Sequence, residues 1–324
     1  MFVFDVVFGI LSALYAVTSF LAWPVGFLAL FTYFVPFVLA AALPVQDLKR
    51  KYNASWGLVT GGSSGIGKAI ATRLAGQGIN VVIAALDDDL LHTTTAELKS
   101  AYPQLQFRAV GVNFGEDGYV EVIREATKDI PVQLVFNNAG YMTTGFFANL
   151  PLKRHLANYE CNATAGVKIT HHFANRMIDE RLRGLIAFTS SPAGRMPNPS
   201  TSLYGATKAF ITEFAASIAP ELRAEGIDVL VVHPSPIASN FYNAAHDMGA
   251  IRLFKSTAAT PDVIARSIFT GAGRVVVRDQ GYFPAAQKLL LLVVDYNLFA
   301  AIVNWTSAGM EDFKKMRAER NKAK

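Results

Sequence analysis

Thr60-Gly61-Gly62-Ser63-Ser64-Gly65-Ile66-Gly67 follows the apolar run Trp56-Gly57-Leu58-Val59 and leads into Gly65–Gln77, a segment of helical periodicity. The order strand, glycine turn, helix is what makes this stretch informative. Glycines let a backbone turn sharply and come close to a pyrophosphate. The first turn of a helix offers that group unpaired N–H donors and a partial positive charge. The stretch from Gly61 to Gly67 therefore predicts a phosphate cradle.

Working outward, short β-rich runs alternate with helix-length segments. The strand candidates are 56–60, 80–85, 106–111, 134–137, 184–190, 228–233 and 274–277. Helical periodicity fills 65–77, 88–102, 117–130, 152–182 and 202–225. This alternation predicts an α/β fold with βαβ units: a single Rossmann-like, doubly wound parallel sheet. Residues 239–260 have no clear period and read as a loop over a site.

The composition adds a second theme. Hydrophobic residues make up 52% and charged residues only 17% of 324, against about 25% charged in ordinary soluble domains. Val6 to Leu43 holds no charged residue, and Lys49-Arg50-Lys51 comes shortly after. A helix needs about 20 apolar residues to span a bilayer. The run predicts a membrane anchor, either two short passes turning at Pro24-Val25-Gly26 or one long span. Tyr15, Trp23 and Tyr33 are candidate interfacial anchors. The basic cluster predicts a cytosolic location for the chain beyond residue 51. A second apolar stretch, 289–305, is interrupted by Asp295 and Asn297 and reads as an amphipathic or monotopic helix. Three regions result: an anchor over 1–50, a catalytic domain over 51–285, and an amphipathic helix with a basic tail over 286–324.

The net charge is +5, and Glu311–Lys324 carries six basic residues against three acids. That tail reads as a solvated helix end or an anionic-lipid contact. No basic face with interleaved aromatics appears, so a nucleic-acid partner is not expected. Cys161 is the only cysteine, which excludes an internal disulfide and a thiolate metal cluster. No metal-ligand spacing is present, so no metal is expected.

Tyr204 and Lys208 stand four apart in a helical segment and share a face. A phenol near an ammonium can be brought toward working range and exchange the proton of a carbonyl/carbinol pair. Ser190-Ser191 ends a strand thirteen residues earlier, Asn137-Asn138-Ala139-Gly140 ends the fourth strand, and Pro234-Ser235-Pro236 follows the sixth. With the glycine turn, these four ordered motifs resemble the short-chain dehydrogenase/reductase family, over about Trp56 to Val277.

The resemblance implies roles. Tyr204 would be the general acid/base, and Lys208 would lower its pKa and hold the nicotinamide ribose. Ser191, rather than Ser190, would orient the carbonyl, and Asn162 would complete a proton-relay tetrad. Gly61, Gly65 and Gly67 would hold the pyrophosphate, within a loop that includes Ser63, Ser64 and Ile66. Asn137 and Ala139 would contact the adenosine side, and Asn113 would face adenine where the family has Asp. Ile237 would meet the carboxamide, after Pro234, and Ser239 would lie near the phosphates. Asp87 reads two ways, as a ligand of the ribose 2′-hydroxyl or as a helix N-cap. Ala85 and Leu86 do not discriminate nucleotides, and Ser235 replaces a glycine of the family pattern. His171, His172, His233 and Cys161 read as packing or surface residues.

Membrane-bound members of the family include reductases of 3-oxoacyl-CoA and of keto-steroids. The resemblance therefore implies reduction of a carbonyl on a lipophilic substrate (3-oxoacyl-CoA, keto-steroid or sphingoid type). NADP(H) is favoured, with NAD(H) not excluded, and a homodimer is compatible. The location implied is the endoplasmic reticulum membrane with the catalytic domain in the cytosol; Arg320-Asn321-Lys322-Ala323-Lys324 loosely resembles a dibasic retrieval signal. The alternatives are NAD-dependent oxidation of a lipid alcohol such as a steroid or retinol, and a non-catalytic nucleotide-binding scaffold.

Overall fold

Strands covered on both faces must be apolar throughout, and the runs at 56–60 and 132–137 are buried at every position. A computed structural model describes residues 2–242 and 249–322. The chain divides into two units, Met1–Pro44 and Val45–Lys324.

The first unit is one helix, α1 (Phe2–Ala42), which continues through Pro24. Of the two arrangements compatible with the sequence, the structure has the single long helix. Its stretch Val6–Val35 is long and apolar enough to cross a membrane, with mean hydropathy 1.9. Ser12, Thr18 and Thr32 turn their hydroxyls back onto the carbonyls of Phe8, Leu14 and Leu28. Those polar groups are thus satisfied inside the helix, as an apolar surrounding requires.

The second unit opens with α2 (Leu48–Tyr52). It then alternates β1 (Trp56–Thr60), α3 (Gly65–Gly76), β2 (Asn80–Ala85), α4 (Asp89–Ala101), β3 (Phe107–Gly111), α5 (Tyr119–Thr127) and β4 (Val132–Asn137). After β4 come α6 (Leu152–Tyr159), α7 (Ala165–Asp179), β5 (Gly184–Thr189), α8 (Ser202–Ala224) and β6 (Ile227–Pro234). The chain ends with α9 (Gly249–Ser256), α10 (Pro261–Gly271), β7 (Val277–Gln280), α11 (Tyr282–Val293), α12 (Tyr296–Ser307) and α13 (Glu311–Lys322). Among the described residues the strands form one parallel sheet, ordered β3-β2-β1-β4-β5-β6-β7. Side chains alternate across it. Val59, Val81 and Ile83 meet Ile70, Leu74, Leu91 and Phe269 on one face. Leu58, Val82 and Val135 meet Ile123, Ile169, Phe173 and Ile211 on the other. The expected doubly wound sheet is present. Its order reverses between β1 and β4, which opens a crevice at the carboxyl ends of those strands.

Several local expectations need correction. The seventh strand lies at Val277–Gln280, shifted three residues toward the C-terminus from the 274–277 run and sharing only Val277 with it. Val231 to Pro234 pair with Val277 to Gln280, and Asp279 is buried there against His233 and Arg195. A buried, paired carboxylate does not register as strand in an apolar pattern. The 152–182 helix is interrupted by a π-helical turn, Glu160–Thr164. The 239–260 stretch contains a 3-10 turn at Asn240–Tyr242 and the helix α9, while 243–248 lie outside the described residues.

The C-terminal region is three helices rather than one. α11 and α12 meet at a bend of 108°, and Asp295 caps α12 by accepting from the N–H groups of Asn297 and Leu298. Residues 323 and 324 of the basic tail lie outside the described residues. The Lys49-Arg50-Lys51 cluster sits in α2. Lys49 donates to the Gly78 carbonyl, and Lys51 donates to Ala272 O and pairs with Asp228 at 3.3 Å.

Ser235, which departs from the family pattern, is accommodated by a glycine. Gly281 has φ +86°, and a Cβ there would lie 2.3 Å from Ser235 Oγ. That hydroxyl in turn accepts the Phe283 N–H at 3.2 Å. Gly281→Ala is expected to lower unfolding free energy by about 1–3 kcal/mol, with partial recovery when Ser235→Gly is added. Urea unfolding of the three variants checks this.

Candidate active site

The cradle starts from close contact between α3 and the end of β1. A Cβ on Gly67 would lie 2.1 Å from the Gly61 carbonyl oxygen, so only glycine fits. Gly61 and Gly65 have φ +61° and +53°, the left-handed region that glycine enters without strain. A Cβ on Gly61 would lie 2.9 Å from Ala139 Cα. α3 begins at Ser64 without a side-chain cap, in contrast to α4, where Asp88 accepts from Leu91 N. The uncapped helix start leaves its first N–H groups for an anion. Ser63 lies in the same turn, its carbonyl bonded by Thr94, and Ile66 packs toward the core.

Thr60 and Asn138 tie this turn to β4. The Thr60 hydroxyl accepts from the N–H groups of both Asn138 and Ala139 at 2.9 Å. The Asn138 amide donates to Thr60 O at 3.1 Å and accepts from Thr189 Oγ1 at 3.0 Å. Neither Thr60 nor Asn138 stood out in the sequence; a doubled asparagine at a strand end was the available signal. Asn137 turns the other way. It is buried and donates to Thr170 on α7, so its side chain is a fastening between sheet and helix. The backbone N–H of Ala139 is engaged by Thr60, which leaves its Cα against Gly61.

At the end of β2, Asp87 is not the helix cap; Asp88 has that role. The Asp87 carboxylate is exposed, lies 2.9 Å from His92 Nε2 and packs against Gly111. Asn113 accepts from the Gly115 N–H at 3.0 Å in a local turn. Beyond β6, Pro234 ends the strand and Ile237 forms a bridge with Ala259. Ser239 faces the cradle: a Cβ on Gly65 would meet its Cβ at 3.2 Å.

Asn162, Ser191, Tyr204 and Lys208 come together beside this crevice. Asn162 lies in the π-helical turn and grips the Tyr141 backbone both ways. Its Oδ1 accepts from Tyr141 N and its Nδ2 donates to Tyr141 O, each at 2.9 Å. A Cβ on Gly140 would lie 3.1 Å from Asn162 Oδ1 and 3.4 Å from Lys208 Nζ. Ser191 caps a 3-10 turn, its hydroxyl accepting the Ala193 N–H at 3.2 Å, and its side chain lies near the Tyr204 phenol. Ser190, by contrast, is buried and bonded to Lys208 O and Thr212.

The electrostatics differ from the expectation that Lys208 lowers the phenol. Lys208 Nζ lies 5.7 Å from the centroid of the Tyr204 ring and donates to Thr189 O at 2.8 Å. Burial holds the Tyr204 phenol well above its ordinary range, with the nearby Ser191 hydroxyl opposing it. Burial also brings Lys208 down to about 8. Desolvation disfavours whichever form of each group is charged. Burial pushes the Cys161 thiol up to about 12, which removes it as a nucleophile at neutral pH.

Behind the site lies a buried polar chain that the sequence did not reveal. His233, read as packing, is fully buried, with Nε2 2.9 Å from Thr212 Oγ1 and Nδ1 2.9 Å from Asp279. Arg195, four residues beyond Ser191, reaches Asp279 at 2.6 Å. No group of metal-ligating side chains occurs among the described residues.

A glycine cradle at the switch point of a doubly wound sheet, beside a buried Ser-Tyr-Lys-Asn cluster, defines a dinucleotide-binding α/β protein. Comparison with known proteins makes this specific. The family model for short chain dehydrogenase matches residues 56–248. The very-long-chain 3-oxoacyl-CoA reductase of Meyerozyma guilliermondii is 27% identical over 292 residues, 85% of this chain and 84% of that protein. That of Coccidioides immitis is 29% identical over 224 residues, 68% of this chain, and the match spans 62% of the relative's length. A solved 7beta-hydroxysteroid dehydrogenase superposes with TM-score 0.69 at 23% identity, covering 78% of this chain and 96% of that one. The chain belongs to the short-chain dehydrogenase/reductase family, and its class is that of NAD(P)-dependent oxidoreductases acting on carbonyl/carbinol pairs.

The burial of Lys208 gives a linkage test. Its folded pKa of about 8 lies below the ordinary 10.5, so between these values the unfolded chain binds more protons. The cost of burying the cation is full below pH 8 and fades as pH rises. Relative to Lys208→Met, the nucleotide-free wild type is expected to gain about 1–2 kcal/mol between pH 8 and 9.5. Denaturant titrations at both pH values read this directly; a flat difference contradicts it.

Proposed function

We propose that this protein reduces the carbonyl of a lipophilic substrate, first among them a long-chain 3-oxoacyl-CoA, with Tyr204 as the proton donor. The observation that carries the reading is the gathering of Ser191, Tyr204 and Lys208 at the crevice, with the Tyr204 phenol buried and so kept protonated at neutral pH. A protonated phenol suits an acid, and so favours carbonyl reduction over alcohol oxidation. A nicotinamide nucleotide, when bound, supplies the hydride. Ser191 orients the substrate oxygen beside Tyr204. Tyr204 gives its proton to that oxygen as the carbinol forms. Lys208, near pKa 8, is suited to return a proton toward the phenol, with Asn162 fixing the adjoining Tyr141 backbone.

The cofactor residues line the cradle. Gly61, Ser63, Ser64, Gly65, Ile66 and Gly67 would face the diphosphate, with Ser239 across from Gly65. Ala139, Asn113, Asp87, Pro234 and Ile237 would border the nucleotide, and Asn137 would support the crevice from behind. Similarity to the very-long-chain reductases supports a lipid substrate and the endoplasmic reticulum membrane; NADPH as the favoured nucleotide and a cytosolic catalytic domain complete the reading, the latter from the basic cluster after α1. α1 would be the anchor. The corner between α11 and α12 exposes Val293, Tyr296, Leu298 and Trp305, an apolar surface suited to lie on lipid.

Full-length protein with an 18-carbon 3-oxoacyl-CoA and NADPH is expected to yield the 3-hydroxyacyl-CoA. Tyr204→Phe is expected to lower turnover by roughly 10²–10⁴-fold while nucleotide binding is kept. Unchanged turnover in that variant would refute Tyr204 as the donor. Turnover with NADH but none with NADPH would refute the nucleotide preference.

A further inference from the structure

A large hollow lies against the side of α8 roughly 100–200° around the helix from Tyr204. It has a volume of about 780 Å³, inside the roughly 300–1,000 Å³ common for small-molecule sites. Gly205, Ala206 and Ala209 of α8, Met196 to Pro199, and Ala300 and Val303 of α12 line it. None of Asn162, Ser191, Tyr204 and Lys208 lines it. Its lining shares no residue with that cluster, although it includes the loop that follows Ser191.

Its edge is basic. Arg317 and Arg320, one turn apart on α13, both line the hollow and are exposed. Residues three apart on a helix are neighbours. Neither arginine has an ion-pair partner among the described residues, and no described lining residue is acidic. Two planar guanidinium groups side by side suit a phosphate or carboxylate, which each can bind in a forked geometry. The apolar interior suits a hydrocarbon chain.

We propose that this chamber binds an anionic amphiphile, with an acyl chain between α8 and α12 and its phosphate or carboxylate held by Arg317 and Arg320. The basic tail then has a defined partner. The anion has two sources with the same chemistry, the distal part of an acyl substrate or a separate membrane lipid.

The test uses full-length protein in phosphatidylcholine nanodiscs and an oleoyl lysophosphatidate carrying a diazirine at the chain end. Mass spectrometry reads cross-linking to peptides covering 196–209 and 296–308. Using Tyr204→Phe protein separates binding from turnover, so failure here and failure of the reductase reading are distinguishable. Saturable labelling is expected. It should fall roughly tenfold in Arg317→Glu/Arg320→Glu, and roughly tenfold when a glycerol ester without phosphate replaces the probe. Ala300→Trp, which fills the chamber without touching charge, should abolish it. In wild-type protein, displacement of the probe by 3-oxoacyl-CoA in step with turnover assigns the anion to the substrate. Binding of the probe without loss of turnover assigns it to a separate lipid. No saturable labelling of these peptides, or labelling indifferent to both variants, overturns the proposal.

Discussion

The start of α3 stands so close to the end of β1 that a methyl group on Gly67 would overlap the Gly61 carbonyl. That approach sets the rest of the crevice. It fixes the left-handed turn at Gly61 and directs the uncapped N-terminus of α3 across the carboxyl edge of the sheet. The turn then needs a fastening on its other side. Thr60 and Asn138 supply it by joining β1 to β4 and, through Thr189, to β5. The Thr189 carbonyl in turn accepts from the Lys208 ammonium. One continuous set of hydrogen bonds thus runs from the cradle to Lys208.

Charge in this site is governed by burial. A phenol and an amine four apart on a helix suggest a pair in which the cation lowers the phenol. In the folded chain the amine is bonded to a carbonyl, and desolvation moves both groups toward their neutral forms. A neutral phenol is the form that can give a proton. The buried chain from Thr212 through His233 and Asp279 to Arg195 braces the turn after Ser191 against β7. Breaking such a chain would leave charge without a partner in the interior.

Much of this was legible in the sequence, and the exceptions have physical reasons. β1 and β2 coincide with the apolar runs at 56–60 and 80–85, because strands covered on both faces must be apolar. The Gly61–Gly67 turn was legible because left-handed backbone and close approach admit little else. β7 was misplaced because its defining residue, Asp279, is a carboxylate made tolerable only by Arg195 and His233, far away in sequence. The interruption at Glu160–Thr164 was invisible because a π turn costs no change in composition, yet it positions Asn162. Asp295 read as a blemish in an apolar run, whereas it caps α12 after a sharp bend. Asn138 was overlooked beside Asn137 because only the pleat decides which of two adjacent side chains faces the crevice.

A nicotinamide dinucleotide held by the glycine turn at the β1/β4 switch point is read by calorimetric titration of nucleotide-free, full-length protein. Wild type should bind NADPH with one-to-one stoichiometry. Gly65→Val, which places a side chain in the cradle opposite Ser239, should bind roughly a hundredfold more weakly while its circular dichroism is retained. Undiminished binding by a folded Gly65→Val protein would contradict the account.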